Sequence, residues 1–219
     1  MTVRTPLVLS GMIIAAMTVF AFLTEARLPD DAVLPIHFDA AGQPDDWAPA
    51  LTALLLPVGV VAFAAALVAV LPFIEPLQHR LEASAPVLKV SWVGIVLLGV
   101  AIQAVIGLPA WGVSPSVNLV PLTVGLLLVA LGNVLPKSRP SFFVGIRTPW
   151  AIMDTDNWIA THRLGGKLFM LAGAVIILAS LLVRSAEPMA IIVMGSVLTA
   201  AIVPFVYSWW LWHRGRSVR

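Results

Sequence analysis

Six apolar stretches divide this chain, each close to the length of a bilayer-crossing helix, with short polar segments between them. They fall at about residues 6–24, 50–73, 88–108, 118–135, 168–184 and 189–212. A helix needs roughly 20 apolar residues to cross the hydrocarbon core. Backbone groups in lipid must bond within their own segment, so spans of this length are helices. The pattern predicts an all-α polytopic membrane protein with six transmembrane helices. The first apolar stretch, Pro6 to Leu23, is longer than the ~7–15-residue core of a secretory leader, although Thr24 and Ala26 resemble a cleavage pattern. It is read as a span.

Composition strengthens this picture. Of 219 residues, 60% are hydrophobic and 11% are charged. A soluble domain carries about 25% charged residues. Mean hydropathy is +0.99. There is no cysteine, which excludes a disulfide framework, a thiolate metal site and a cysteine nucleophile.

The net charge of +2 says little, but its distribution orients the chain. Basic residues concentrate on the cytoplasmic side of membrane proteins. One set of segments holds Arg4, Arg80, Lys89, Lys137, Arg139, Arg147, Arg163, Lys167, Arg214, Arg216 and Arg219, and the alternate set holds only Arg27 and Arg184. Both termini are therefore assigned to the cytoplasm, together with the loop between spans four and five. The first outer loop is acidic, with Glu25, Asp30, Asp31, Asp39, Asp45 and Asp46 against Arg27. The division expected is an N-terminal helical hairpin with this acidic loop, residues 1–75, and a four-helix membrane domain, residues 76–219, carrying a cytoplasmic loop at 136–167.

The spans are free of charge except at their ends, and none holds a carboxylate pair, an HExxH or a Ser with a His at depth. Charges inside a bilayer usually mark ion paths or active sites, so this argues against a proton-coupled pump and an intramembrane protease. Gln103, Ser10, Thr18 and Asn133 are left to bond between helices or to line a cavity. Small residues four apart, at Gly11 and Ala15, Ala62 and Ala66, and Gly195 and Thr199, predict close helix packing.

Two polar stretches carry the candidate sites. In the outer loop, LPIHFDAAGQPDDW supplies Pro35, His37, Asp39, Gly42, Asp45, Asp46 and Trp47. His and carboxylates ligate cations, but the loop has no second His, and Gly42 and Pro44 read as a turn. No metal or cofactor is assigned. A folded cap is expected, with Trp47 anchored at the interface and the acidic surface attracting a cationic peptide.

The inner stretch is FFVGIRTPWAIMDTDNWIATHRLGGK. Gly145 permits positive φ or close backbone approach, and Pro149 drives Thr148 to an extended conformation. Asp154 and Asp156 are candidate partners for Arg147, and either can cap the helix that follows. On that helix Trp158 and His162 share a face, with Thr161 beside them and Gly165 and Phe169 continuing it. Arg163 and Lys167 lie on a second face suited to anionic headgroups. An aromatic belt containing Trp150 and the positive-inside rule explain part of this cluster. A self-contained folded element or a docking site explains the rest.

The run NVLPKSRPSFFVGIRTPWAIMDTDNWIATHRLGGK resembles the signature of the SdpI-type family of bacterial immunity membrane proteins. The matching pieces are GIRTPW, Trp158 eight residues on, and THRLGGK leading into a span. The outer-loop segment resembles an uncharacterised domain that often precedes that signature. Two departures are visible: Ser141 stands where the family usually has Asn, and Asp46 where Gly is common. The resemblance implies a multi-pass protein of the bacterial cytoplasmic membrane that gives resistance to a secreted toxic peptide. In some members it implies a receptor that holds a small DNA-binding autorepressor at the membrane, with no nucleic acid bound by the membrane protein itself. Immunity or signalling, not catalysis, is the function expected. A small transporter or exporter with a polar cavity is the rival. An enzyme would require His162 and a carboxylate to act together at the inner surface.

Overall fold

A computed structural model describes residues 4–39, 41, 43–75, 78–116 and 118–216. Helix α1 runs Arg4–Glu25, and strands β1 (Val33–Phe38) and β2 (Pro44–Pro49) follow it. Helices α2 (Ala50–Ile74), α3 (Gln78–Gly107) and α4 (Leu119–Val134) come next. A single turn of helix, α5 (Pro149–Met153), precedes the long α6 (Thr155–Leu182) and α7 (Ala186–Arg216). Among the described residues, all helices but α5 are long and apolar enough to cross a membrane, α4 together with the 3-10 turn that extends it to Lys137, which makes six spans. The polytopic helical fold expected from the hydropathy pattern is borne out.

Two helices begin well before their apolar runs. The fifth span was expected from residue 168, on a helix capped by Asp154 or Asp156, and α6 starts accordingly at Thr155 with Asp154 as its cap. The third was expected from 88, yet α3 starts at Gln78. Apolar runs mark where lipid begins, whereas a helix begins where its first amide donors are satisfied. The other addition is the small antiparallel sheet of β1 and β2, which forms the expected cap on the outer loop. Gly42, placed in a turn there, lies outside the described residues.

Helices α1, α2 and α3 pack together, α3 also meets α4, α4 meets α6, and α6 meets α7. The polar residues at depth join the first three helices. Gln103 Nε2 on α3 donates to Met17 O of α1 at 2.9 Å and to Leu54 O of α2 at 3.0 Å. Trp92 Nε1 donates to Ser10 Oγ at 2.8 Å. Thr18 bonds within its own helix, to Ile14 O, and Asn133 is exposed. Gln103 is thus a bond between helices, and the cavities found on the helix faces are lined chiefly by aliphatic side chains. Outward-facing residues such as Phe63, 71% exposed, and Leu182, 78% exposed, fit a lipid boundary.

The glycine contacts correct the packing expectation. Gly11 and Gly195 have no neighbour within 4 Å of where a Cβ would stand, and Ala15, Ala66 and Thr199 are exposed. Close approach occurs between α4 and α6 instead. A Cβ on Gly132 would meet Gly166 O at 2.6 Å, and one on Gly173 would meet Gly125 O at 2.5 Å. Each helix contributes two glycines seven residues apart, so two antiparallel backbones touch twice along one face.

Candidate functional site

The inner stretch folds into a bonded plug between the ends of the helices. Its first anchor is Glu75, buried just beyond the end of α2. Its carboxylate accepts from Ser141 Oγ at 2.7 Å, Phe142 N at 3.0 Å and Phe143 N at 3.1 Å. Ser141 Oγ in turn accepts from Val144 N at 3.2 Å. The second anchor is Ser84 of α3, whose hydroxyl donates to Arg139 O and accepts from Arg139 N. A chain segment with few partners of its own is thereby satisfied by side chains, as buried backbone requires.

The third anchor is the Trp158–His162 pair of α6. Their rings stack with centroids 4.1 Å apart and planes 17° apart. His162 Nε2 accepts from Ile146 N at 2.9 Å, and Nδ1 lies 2.8 Å from Trp158 O. An amide N–H only donates, so Nε2 is unprotonated and Nδ1 carries the hydrogen. The ring is neutral and both nitrogens are committed to backbone. That arrangement braces a loop and leaves neither nitrogen for proton transfer to a substrate. Trp158 Nε1 donates to Ser138 Oγ at 3.3 Å.

The glycines of the signature make room for this. Gly145 has φ of 116°, and a Cβ on it would lie 2.5 Å from His162 Nε2. Both properties expected of Gly145 are present. Gly165 receives the side chain of Ile146, while Gly166 receives Gly132 of α4. The paired glycines of THRLGGK therefore serve two contacts on two sides of one helix.

A buried polar chain ties the plug to α7. Thr148 is extended (φ −84°, ψ 150°) and caps α5, with Oγ1 accepting from Ala151 N at 3.0 Å. Pro149 occupies the first helical position, where its missing N–H costs nothing. Thr148 Oγ1 lies 2.5 Å from Ser208 Oγ. Ser208 donates to Asn157 Oδ1 at 2.7 Å, so the Thr148 hydroxyl is the donor in their contact. Thr161 also donates to Asn157 Oδ1, and Asn157 Nδ2 donates to Ser208 O. Trp150 packs beside this chain on Phe205 and Trp212 of α7.

The acidic residues divide. Asp154 is the cap of α6, accepting from Asp156 N at 2.9 Å and Asn157 N at 3.3 Å. Asp156 sits exposed in the first turn, where the helix dipole favours it. Arg147 pairs with neither among the described residues: its Nη1 donates to Phe142 O at 3.0 Å. Arg147, Met153, Asp154 and Asp156 are the exposed rim of a plug whose Thr148, Trp158, Thr161 and His162 are buried. Sequence reasoning missed Glu75, Asn157, Ser138 and Ser208, whose partners lie far along the chain. Ser141, a departure from the family pattern in the sequence, joins Glu75 to the loop.

At the opposite end, the hairpin pairs Pro35 with Trp47 and His37 with Asp46, with irregular register on either side of His37. His37 Nδ1 lies 2.6 Å from Asp45 Oδ1, both exposed. Asp39 Oδ1 accepts from Gln43 N, and Asp46 Oδ1 from Trp47 N. The acids thus bond locally, and no three His, Asp or Glu converge among the described residues. Trp47, in β2 just before α2, is half exposed. Arg27 lies over the ring of Trp111 at 3.7 Å, which fastens the loop after α1 to the outer end of α3.

Residues 137–208 match the SdpI/YfhL protein family, and residues 12–61 match a domain of unknown function, DUF1648. The first contains the plug and its α7 partner; the second contains the hairpin. The chain is also similar to the immunity protein SdpI of Bacillus subtilis (strain 168), at 26% identity over 91 residues. That similarity covers 42% of this chain and 43% of the relative, less than half of either. No solved structure matches. The family resemblance read in the sequence is borne out.

Proposed function

We propose that this multi-pass protein resides in a bacterial cytoplasmic membrane and protects its cell from a secreted toxic peptide. The observation that carries the reading is the family match over 137–208, which contains the plug segment and its partners Trp158, His162 and Ser208. On this reading the labour divides by face. Residues 1–75, with the acidic hairpin, meet the peptide outside, and residues 76–219 supply the scaffold and its inner plug. His162, committed at both ring nitrogens, supports a structural rather than a catalytic centre. Expression in a sensitive strain, followed by challenge with a panel of secreted peptides from related strains, tests the idea. Protection against at least one peptide is expected, and equal killing across the panel sinks it.

A second reading adds signalling: the inner rim docks a small DNA-binding repressor. It is favoured by the exposed Arg147, Met153, Asp154 and Asp156, which form the rim of the plug. The transporter reading lacks such support, because Gln103 is spent on two carbonyls. Flux of a labelled peptide in proteoliposomes would revive it.

A further inference from the structure

An apolar cleft of about 450 Å³ opens beneath the hairpin at the outer end of the bundle. Val120 and Pro121 of α4 form its floor, Ile106 of α3 one wall, and Met189 and Ala190 of α7 the other. Strand β1 is its roof. Four consecutive residues, Ile36, His37, Phe38 and Asp39, line it. A regular strand would turn alternate side chains away. The register shifts between Pro35 and His37 and between His37 and Phe38 break that alternation. The volume lies in the ~300–1,000 Å³ range of ligand sites, which are apolar with a few polar groups at defined points.

We propose that this cleft seats the apolar segment of a membrane-partitioned peptide, with the peptide's cationic end at Asp39. The proposal rests on the immunity reading and names the class of peptide it requires. Charge selects this occupant. Around the roof lie Asp39, Asp45 and Asp46, and Glu187 stands in the first turn of α7 beside cleft-lining Ala186. Of the two outer cations, Arg27 is held over Trp111 and Arg184 stands exposed two residues before Ala186, so around the cleft acids outnumber cations. A phospholipid would bring its phosphate against these acids. A second copy would bring an identical acidic hairpin. A peptide with a positive end gains where both lose.

The test uses the full chain in phosphatidylcholine nanodiscs and a fluorescent Leu/Ala peptide with paired lysines at one end. A twin peptide carries glutamates there instead. The lysine peptide should bind and the glutamate peptide should bind about tenfold more weakly, the equivalent of ~1.4 kcal/mol. Ala190→Phe fills the cleft and should weaken the lysine peptide by about tenfold or more. Asp39→Asn keeps the oxygen that accepts from Gln43 N and removes only charge, so a loss of about fivefold at most is expected. If Ala190→Phe does not fold, Asp39→Asn and the two peptides decide. Equal binding of both peptides, or unchanged binding by folded Ala190→Phe, overturns the proposal. So does a shift from dimer to monomer in Ala190→Phe, which would make a second copy the occupant. Peptide binding with no protection of cells leaves the cleft and removes immunity. Protection by an Ala190→Phe protein that has lost peptide binding leaves immunity and removes the cleft's part in it.

Discussion

The backbone of Gly145 lies flush against the imidazole of His162, so near that a Cβ would stand 2.5 Å from Nε2. Its φ of 116° is also a conformation that L side chains rarely adopt. Gly145→Ala therefore meets strain of about 1–3 kcal/mol and a clash with the ring that holds Ile146 N. The expected result is a clear drop in the thermal midpoint of the detergent-solubilised protein, read by fluorescence-detected size exclusion. A midpoint equal to wild type would mean that the loop is not packed on His162.

Glu75 gathers three donors, and its variants should rank by how many acceptors survive. Glu75→Gln keeps one carbonyl oxygen but turns the other acceptor into a donor. Glu75→Ala leaves Ser141 Oγ, Phe142 N and Phe143 N all without it. Each buried group left unsatisfied costs about 1–3 kcal/mol. The alanine variant should be the less stable of the two, and in inverted vesicles its 138–145 segment should be cut faster by protease. Equal cleavage of all three proteins would show that the loop is held elsewhere.

Glu75 also marks where the sequence stops being legible. Apolar runs announced six spans because lipid demands them at a known length, and Gly145, Pro149 and Asp154 announced local geometry because each acts on its own backbone. The i,i+4 spacing announced the Trp158–His162 stack for the same reason. The Glu75–Ser141 and Asn157–Ser208 contacts close over long stretches of chain. No local pattern specifies them, and a carboxylate at a span edge reads like any solvated end charge. The small-residue pairs failed for a related reason. Spacing puts Gly195 and Thr199 on one face of α7, but only the fold determines whether another helix covers that face.

Substitution on the α4–α6 seam separates these two kinds of glycine. Gly166→Leu must displace Gly132 O and Pro136, and Gly132→Leu must displace Gly166 O and Met170. Backbone cannot yield as a flexible side chain does, so both variants should accumulate poorly as monodisperse protein. Gly195→Ala meets nothing within 4 Å and should match wild type or slightly exceed it. If Gly166→Leu behaved like Gly195→Ala, the seam would not be a tight contact.

Arg147→Ala decides between bracing and docking at the inner rim. Arg147 is exposed and its recorded bond is one donation to Phe142 O, so its loss should cost no more than ~1 kcal/mol. Thr148 is fully buried, caps α5 and bonds to Ser208. Thr148→Val keeps the shape but removes both bonds, and loss of a cap alone costs about 0.5–2 kcal/mol. Membrane levels should therefore fall for Thr148→Val and hold for Arg147→Ala. With folded protein at wild-type level, a fusion of the cognate repressor to a fluorescent protein reports docking directly. If the rim docks the repressor, Arg147→Ala leaves the fusion in the cytoplasm under toxin while the wild type draws it to the membrane. Should Arg147→Ala deplete the membrane as Thr148→Val does, Arg147 braces the plug, and the docking surface has to be sought among Met153, Asp154 and Asp156.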